Sequence, residues 1–309
     1  MEAALNDTAI LIQDFQKSYG EFMAVSGISF EVCRAEIFGL LGPNGAGKTT
    51  TLECLEGIRK ADQGLMQIMG FDASKKARKL RDLIGVQLQT SGLPADMTVE
   101  EAMKFFCAYH GVGPRYDLLE RLGLQAKQHN SYRQLSTGQQ RRLALALAIA
   151  HNPPVLILDE PTAGLDVASR TELHSLMQDL KRQGTTILLA THDMAEAEKM
   201  TDRIAILLAG KIVATGSPLE LTATGSGYTK VSVRTEGFSL QKNGEVFPAV
   251  DHSLKNEEYT IYFSTDPGPT VSAIIDYIKI KEDKLIDLRV ERPSLEERFL
   301  EITNIGVAQ

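Results

Sequence analysis

Glu36-Ile37-Phe38-Gly39-Leu40-Leu41-Gly42-Pro43-Asn44-Gly45-Ala46-Gly47-Lys48-Thr49-Thr50 is the stretch on which the fold of this chain turns. Glu36 to Leu41 is nearly continuous in apolar residues, the pattern of a parallel strand buried on both faces. The chain then turns through Gly42, Gly45 and Gly47 and runs on, from Thr49 to Ile58, as a predicted helix. The spacing matches the phosphate-binding loop G-x-x-x-x-G-K-[ST]. Its glycines let backbone N–H groups turn inward around phosphates, its lysine (Lys48) reaches the β/γ oxygens, and its hydroxyl residue (Thr49) ligates Mg²⁺. The helix that begins there aims its positive dipole end at the anion.

Two further stretches extend this chemistry. Val155 to Leu158 is an apolar run that ends in Asp159 and Glu160. Asp159 is placed to hold Mg²⁺ through water, and Glu160 to polarise the water that attacks a γ-phosphate. Leu135-Ser136-Thr137-Gly138-Gln139-Gln140 enters a helix and makes a second anion-binding end. The first site already has a complete phosphate loop, so a second phosphate reader makes sense if it serves a second molecule.

Outward from these motifs the order is strands, then helices, then strands alternating with helices. Ala9–Phe15 and Gly27–Val32 read as strands, the second with the alternation of a sheet that has one wet face. From about 95 to 150 the chain reads as mostly helical. Thr98 with Glu101 makes a capping box before an apolar helix over Ala102–Tyr109, Tyr116–Leu122 forms a second helix, and a third starts near Gly138. Strands over Val155–Leu158, Thr186–Ala190 and Arg203–Leu208 alternate with helices over Val167–Gln183 and Met194–Thr201, which implies a parallel sheet flanked by helices. Composition shifts after Gly216. Residues 217–227 are rich in Ser, Thr and Gly and read as a linker. Beyond it come strands at Thr229–Arg234, Tyr259–Ser264 and Leu285–Val290, with helices at Thr270–Ile280 and Ser294–Ile302. From Ser217 on, ten basic residues face fifteen acidic ones, so the tail is a small acidic unit.

Leu135-Ser-Thr-Gly-Gln139, together with the two nucleotide motifs, resembles the signature of the ABC ATPase family, over about residues 8 to 216. The resemblance implies an α/β P-loop NTPase of the ABC ATPase fold: a RecA-like core, an antiparallel β subdomain and a helical subdomain at about 91–150. The domains expected are then a nucleotide-binding domain at 1–216, the linker at 217–227 and a C-terminal accessory α/β domain at 228–309. The ligands implied are ATP and Mg²⁺. Gln89, preferred to its neighbour Gln87, stands where the family has its Q-loop glutamine, a residue facing both Mg²⁺ and permease. Ala163-Gly164-Leu165-Asp166 resembles the D-loop, and His192 the switch histidine that contacts the γ-phosphate. Tyr19 fits the aromatic residue that stacks on adenine. Thr137 replaces the usual first glycine of the signature, with Ser136, Gly138 and Gln139 retained.

In the arrangement implied, two copies sandwich two ATP·Mg²⁺. Each site joins Lys48, Thr49, Gln89, Asp159, Glu160 and His192 of one chain to Ser136 and Gly138 of the other. A homodimer is the default, and the chain docks on a separate membrane permease at the cytoplasmic face. Arg292-Pro-Ser-Leu-Glu-Glu-Arg-Phe-Leu300 is similar to the ending of ATPases that pair with ABC-2-type export permeases, which points to export of drug, antibiotic, lipid or polysaccharide-like substrates. The rivals are an ABC importer ATPase, set apart by the tail, and a non-transport ABC ATPase. Against the latter, only one set of motifs is present, and the 88 residues from Lys48 to Ser136 leave no room for a long coiled coil.

Composition agrees with this reading. At 309 residues the chain suggests about two domains. The longest apolar run, Leu143 to Ala150, is far short of the about 20 residues that span a bilayer. The first ten residues lack the basic and apolar regions of a secretory signal. A net charge of −7 argues against nucleic acid as the main ligand. The basic run Lys75, Lys76, Arg78, Lys79 and Arg81 reads as a solvated helix face. Cys33, Cys54 and Cys107 read as packing residues in a reducing compartment, not as a disulfide or zinc site.

Overall fold

The computed structural model describes residues 7–75, 78–88, 92–223, 228–242, 245–256 and 258–307. They form two compact units, Met1–Ser217 and Pro218–Gln309. In the first, β1 (Thr8–Tyr19), β2 (Phe22–Cys33), β3 (Ile37–Leu41), α1 (Lys48–Leu55), β4 (Gln63–Ile68), β5 (Phe71–Asp72), α2 (Arg78–Leu83) and β6 (Ile84–Gln87) come first. The helices α3 (Val99–Tyr109), α4 (Tyr116–Arg121) and α5 (Thr137–Ile149) follow. Then come β7 (Val155–Asp159), α6 (Val167–Arg182), β8 (Thr186–Thr191), α7 (Met194–Met200), β9 (Arg203–Leu208) and β10 (Lys211–Gly216).

The central sheet has the order β10-β9-β3-β8-β7-β6. All neighbours are parallel except the hairpin partners β9 and β10. The continuous apolar strands owe their composition to burial on both faces. Phe38, Leu40, Val155, Ile157, Leu188 and Ala190 point into one core, shared with β1, β2 and α1. Ile37, Leu156, Leu158, Ile187 and Leu189 point into the other, shared with α3 to α6. Cys54 packs in the first core and Cys107 in the second.

A second sheet, β2-β1-β4-β5, is antiparallel. Here β1 and β2 run well beyond the alternation that marks them in sequence. β1 carries a register shift between Ile12 and Phe15, with Asp14 at φ 47°, and a bulge of that kind breaks the period-two pattern. β4, β5 and β10 have no clear counterpart in the sequence pattern. The helix after the phosphate loop ends at Leu55 rather than Ile58, because Gly57 at φ 74° turns the chain out of it. Thr98 and Glu101 do form the expected capping box, from which α3 starts. Arg78, Lys79 and Arg81 lie exposed on α2, with Leu80 buried beneath them.

The second unit contains α8 (Pro218–Ala223), β11 (Thr229–Thr235), α9 (Ser239–Lys242), β12 (Val250–Lys255), β13 (Thr260–Ser264), α10 (Pro267–Ile280), β14 (Leu285–Glu291) and α11 (Leu295–Val307). Its sheet, β12-β13-β11-β14, is antiparallel. Val231, Val233 and Tyr262 pack against Ile274 and Ile278 of α10. Half of the stretch expected to be a linker is therefore α8, which contacts α11. Among the described residues no helix is long and apolar enough to cross a membrane.

One close approach fixes the edge of the central sheet. A Cβ at Gly85 of β6 would lie 2.1 Å from the Ala148 carbonyl oxygen of α5. Backbone cannot yield to that contact as a flexible side chain can. Gly85→Ala is expected to destabilise the protein by about 1–3 kcal/mol, the usual cost of overpacking. Thermal denaturation checks this, and an unchanged melting temperature would show that β6 is not held so closely.

Candidate active site

The phosphate loop is squeezed between two sheets. A Cβ at Gly42 would lie 2.1 Å from Leu207 O of β9, and one at Gly47 would lie 2.7 Å from Ala24 O of β2. Gly45 and Gly47 also sit at φ 82° and 107°, in the region open to glycine. Gly47 is the N-cap of α1 and supplies no side chain there, so the first turn of N–H groups is left for a ligand. The walls of this cleft are Tyr19, Phe22 and Ala24 on one side, Pro43, Asn44, Gly45, Ala46, Gly47, Lys48, Thr49 and Thr50 below, and Asp159 and Glu160 on the other.

Lys48 is buried, and its Nζ donates to Gly42 O at 2.7 Å and Pro43 O at 3.2 Å. It lies 3.9 Å from Glu160 Oε1. Burial pushes the lysine below its ordinary pKa, with Glu160 and Asp159 acting in the opposite direction. Thr49 Oγ1 donates to Asp159 Oδ2 at 2.9 Å, while Asp159 Oδ1 is buried and has no partner. Burial holds the Asp159 carboxyl above the usual range, and the Thr49 hydrogen bond offsets part of that.

Glu160 is almost fully buried at φ 50°, a left-handed conformation that a non-glycine residue adopts only when its surroundings impose it. Its N–H donates to Ala190 O at 2.9 Å, and its carbonyl accepts from Arg141 Nη1 at 2.6 Å. His192 Nδ1 is 2.8 Å from Glu160 Oε1. Thus Lys48, Thr49, Asp159, Glu160 and His192 converge from α1 and the ends of β7 and β8.

Ser136, Gly138, Gln139 and Asp166 are not among the residues that line this cleft. Ser136 caps α5: Gln139 N donates to Ser136 Oγ at 3.3 Å, and Ser136 N donates to Gln139 Oε1 at 2.9 Å. Neither they nor Gly138 line the cleft with Lys48. Asp166 caps α6, accepting from Ser169 N and Ser169 Oγ, each at 2.9 Å. These bonds, the backbone one first, hold its carboxyl below the usual range. Gln89 lies outside the described residues, and Gln87 ends β6, buried, with Oε1 unpartnered. Tyr19 is 40% exposed at the cleft mouth, with Lys17 and Arg59 over its ring at 5.6 and 5.4 Å. Phe22, 63% exposed beside it, was not among the residues expected, although its place two residues past the Tyr19-Gly20 turn was a signal for it.

Lys48 is the only cation lining the cleft among the described residues. Lys48→Ala is therefore expected to abolish nucleotide-dependent turnover, which a phosphate-release assay reads directly. Turnover at the wild-type rate would show that the phosphates lie elsewhere.

Residues 25–163 match the family described as ABC transporter. The chain is 36% identical over 305 residues to the Nod factor export ATP-binding protein I of Paraburkholderia xenovorans (strain LB400), covering 96% of this chain and 97% of that one. It is 33% identical over 305 residues to the daunorubicin resistance ATP-binding protein DrrA3 of Streptomyces coeruleorubidus, with 96% of each covered. Among solved structures it resembles a dimeric ATP-binding cassette in a post-hydrolysis state bound to ADP and Pi. There the TM-score is 0.63 at 25% identity, over 67% of this chain and 98% of that one. With relatives that match it over 96% of its length, the chain belongs to the ABC transporter family, as an ATP-binding subunit that hydrolyses ATP.

Proposed function

We propose that this chain works as a dimer in which each cleft is completed by the partner's Ser136–Gln139 turn, and that it drives a separate ABC-2-type export permease. The carrying observation is the split in the site. The phosphate loop, both acids and His192 form one constellation, while the second anion-binding helix end stands exposed and outside it. A second chain supplies what one chain cannot. The likeness to a dimeric cassette supports the same reading.

The donor set at Thr49 and Asp159 fits Mg²⁺. A hydroxyl and a carboxylate oxygen without a protein partner are hard oxygen ligands, and magnesium is commonly held by one or two carboxylates plus substrate phosphates. No group of three or more His, Cys, Asp or Glu among the described residues forms a protein cage for a metal. When bound there, the ion would neutralise charge that develops on the phosphates in the transition state.

The chain's own residues do the rest. Lys48 exchanges the Gly42 and Pro43 carbonyls for β/γ-phosphate oxygens. Tyr19, with Phe22 beside it, supplies an aromatic wall for adenine. Glu160 accepts a proton from the water that attacks the γ-phosphorus, the bond to the β–γ bridging oxygen breaks, and ADP leaves. His192 holds Glu160 Oε1 in place and stands next to the γ-phosphate. The apolar groove between β6 and α3, lined by Gln87, Leu88, Phe106, Tyr109 and Leu147, is the docking face for the permease. The exporter names of the two relatives, together with the Pro293–Leu300 ending, support export over import, with the subunit working at the cytoplasmic face of the membrane.

Glu160→Gln keeps shape and hydrogen-bond reach but is a far weaker base, so it is expected to bind ATP and turn over very slowly. In ATP and Mg²⁺ it should shift to twice its monomer mass by light scattering. Gly138→Asp puts a carboxylate where the partner's phosphates would come, so it should stay monomeric. If it dimerises as well as Glu160→Gln does, the shared site is wrong. Truncation after Ser217 should leave nucleotide affinity within a few-fold, because the described residues that line the cleft all belong to the first unit. A folded truncate that loses more than about tenfold (1.4 kcal/mol) would show that the second unit completes the site.

A further inference from the structure

Behind Glu160 lies a second acid that the hydrolysis reading does not use. Glu196, on α7, has a side chain with no exposure to solvent, yet both of its carboxylate oxygens are engaged. His174 Nε2 of α6 is 3.0 Å from Oε1. Thr162 Oγ1 donates to Oε2 at 2.6 Å, and Thr191 Oγ1 lies 3.4 Å from the same oxygen. Thr191 Oγ1 is in turn 3.5 Å from Glu160 Oε2. The partners come from three segments that meet at the active site. Thr162 is two residues past Glu160, Thr191 immediately precedes His192, and His174 belongs to the helix capped by Asp166.

A buried carboxylate is costly unless it is hydrogen-bonded, and the donors around this one meet that need. What it grips is informative. Glu160 is held at φ 50°, and the residues after it turn at once, with Ala163 N bonded to Glu160 O at 3.3 Å and Leu165 N to Thr162 O at 3.0 Å. Thr162 is 3% exposed, and its shortest side-chain hydrogen bond is the one to Glu196. The backbone of Glu196 is itself anchored, its N–H donating to Asp193 Oδ1 at 2.9 Å, one residue past His192. We propose that Glu196 is a positioning residue for hydrolysis: through Thr162 it clamps the turn that aims Glu160 and ties that turn to the strand end carrying His192. The proposal rests on Glu160 being the base. It assigns Glu196 no contact with the nucleotide, so it affects turnover and leaves binding alone.

The test uses the full-length chain, with ATPase rates, affinity for a fluorescent ATP analogue and melting temperature measured on each variant. Wild type and Glu160→Gln set the scale. If Glu160→Gln turns over as wild type does, the base assignment falls, and the clamp falls with it. Given that contrast, Thr162→Val, which keeps the side-chain shape and removes the hydroxyl, is expected to lower kcat by about tenfold or more. KM and nucleotide affinity should stay within about threefold, the split expected when only transition-state geometry is lost. Thr162→Ser should restore kcat. Glu196→Met, which keeps the side-chain length and removes both acceptor oxygens, should lower kcat in the same way, and the double variant Thr162→Val/Glu196→Met should be no slower than the worse single, because both changes break the Thr162–Glu196 hydrogen bond. Should Thr162→Val prove too unstable to assay, Glu196→Met carries the same expectation. Wild-type kcat in a folded Thr162→Val or Glu196→Met chain overturns the proposal. So does failure of Thr162→Ser to restore activity, or multiplication of the two losses in the double variant.

Discussion

The structure depends on one corner. A strand buried on both faces must deliver its chain to a helix whose first N–H groups remain free, and it must do so where two sheets nearly touch. At Gly42 and Gly47 the backbone passes so close to Leu207 O and Ala24 O that any side chain would collide. That squeeze is why the loop belongs to the first unit as a whole and not to β3 and α1 alone. β9 forms one wall and β2 the other, so the small antiparallel sheet helps to shape the phosphate loop.

Charge follows from the same compression. Lys48, Asp159 and Glu160 are all largely withdrawn from water, where fields are strong and unpaired groups costly. The loop closes this account internally: Lys48 on its own carbonyls, Thr49 on Asp159, His192 on Glu160. One group stays open, the Oδ1 atom of Asp159. Around it lie the residues proposed to carry phosphoryl transfer, a reaction that asks a protein chiefly for position and electrostatics. Glu196 extends that arrangement one layer deeper, since the turn at Glu160 requires support from behind.

The second unit is a different kind of object. Its sheet is antiparallel throughout and its core is a few aromatic and branched side chains against α10. The cleft is lined, among the described residues, by residues between 19 and 160 of the first unit. The stretch that joins the units looks like a linker because Ser, Thr and Gly dominate it. Yet Pro218 opens a helix there, as proline does when its fixed φ suits a first turn and its missing N–H is not needed.

Local chemistry made much of this protein legible from its sequence. The phosphate loop, the apolar strand ending in Asp159-Glu160, the Ser136–Gln139 helix start and the Thr98 capping box each depend on residues adjacent in the chain, and composition reports adjacency well. The extended antiparallel strands were harder to see, because bulges such as that near Asp14 break the alternation that would reveal them, and β10 has too little apolar surface to stand out. Some relations have no local sign at all. Nothing around Glu196 in the sequence shows that its carboxylate reaches Thr162 and His174, more than twenty residues away in either case. The collision waiting at Gly85 is set by Ala148, far along the chain. The sequence by itself determined which chemical groups the protein brings and the elements on which they ride. The tertiary structure alone decided which groups share a cleft and which stand outside it, because strand order and helix packing join residues that no period in the chain connects.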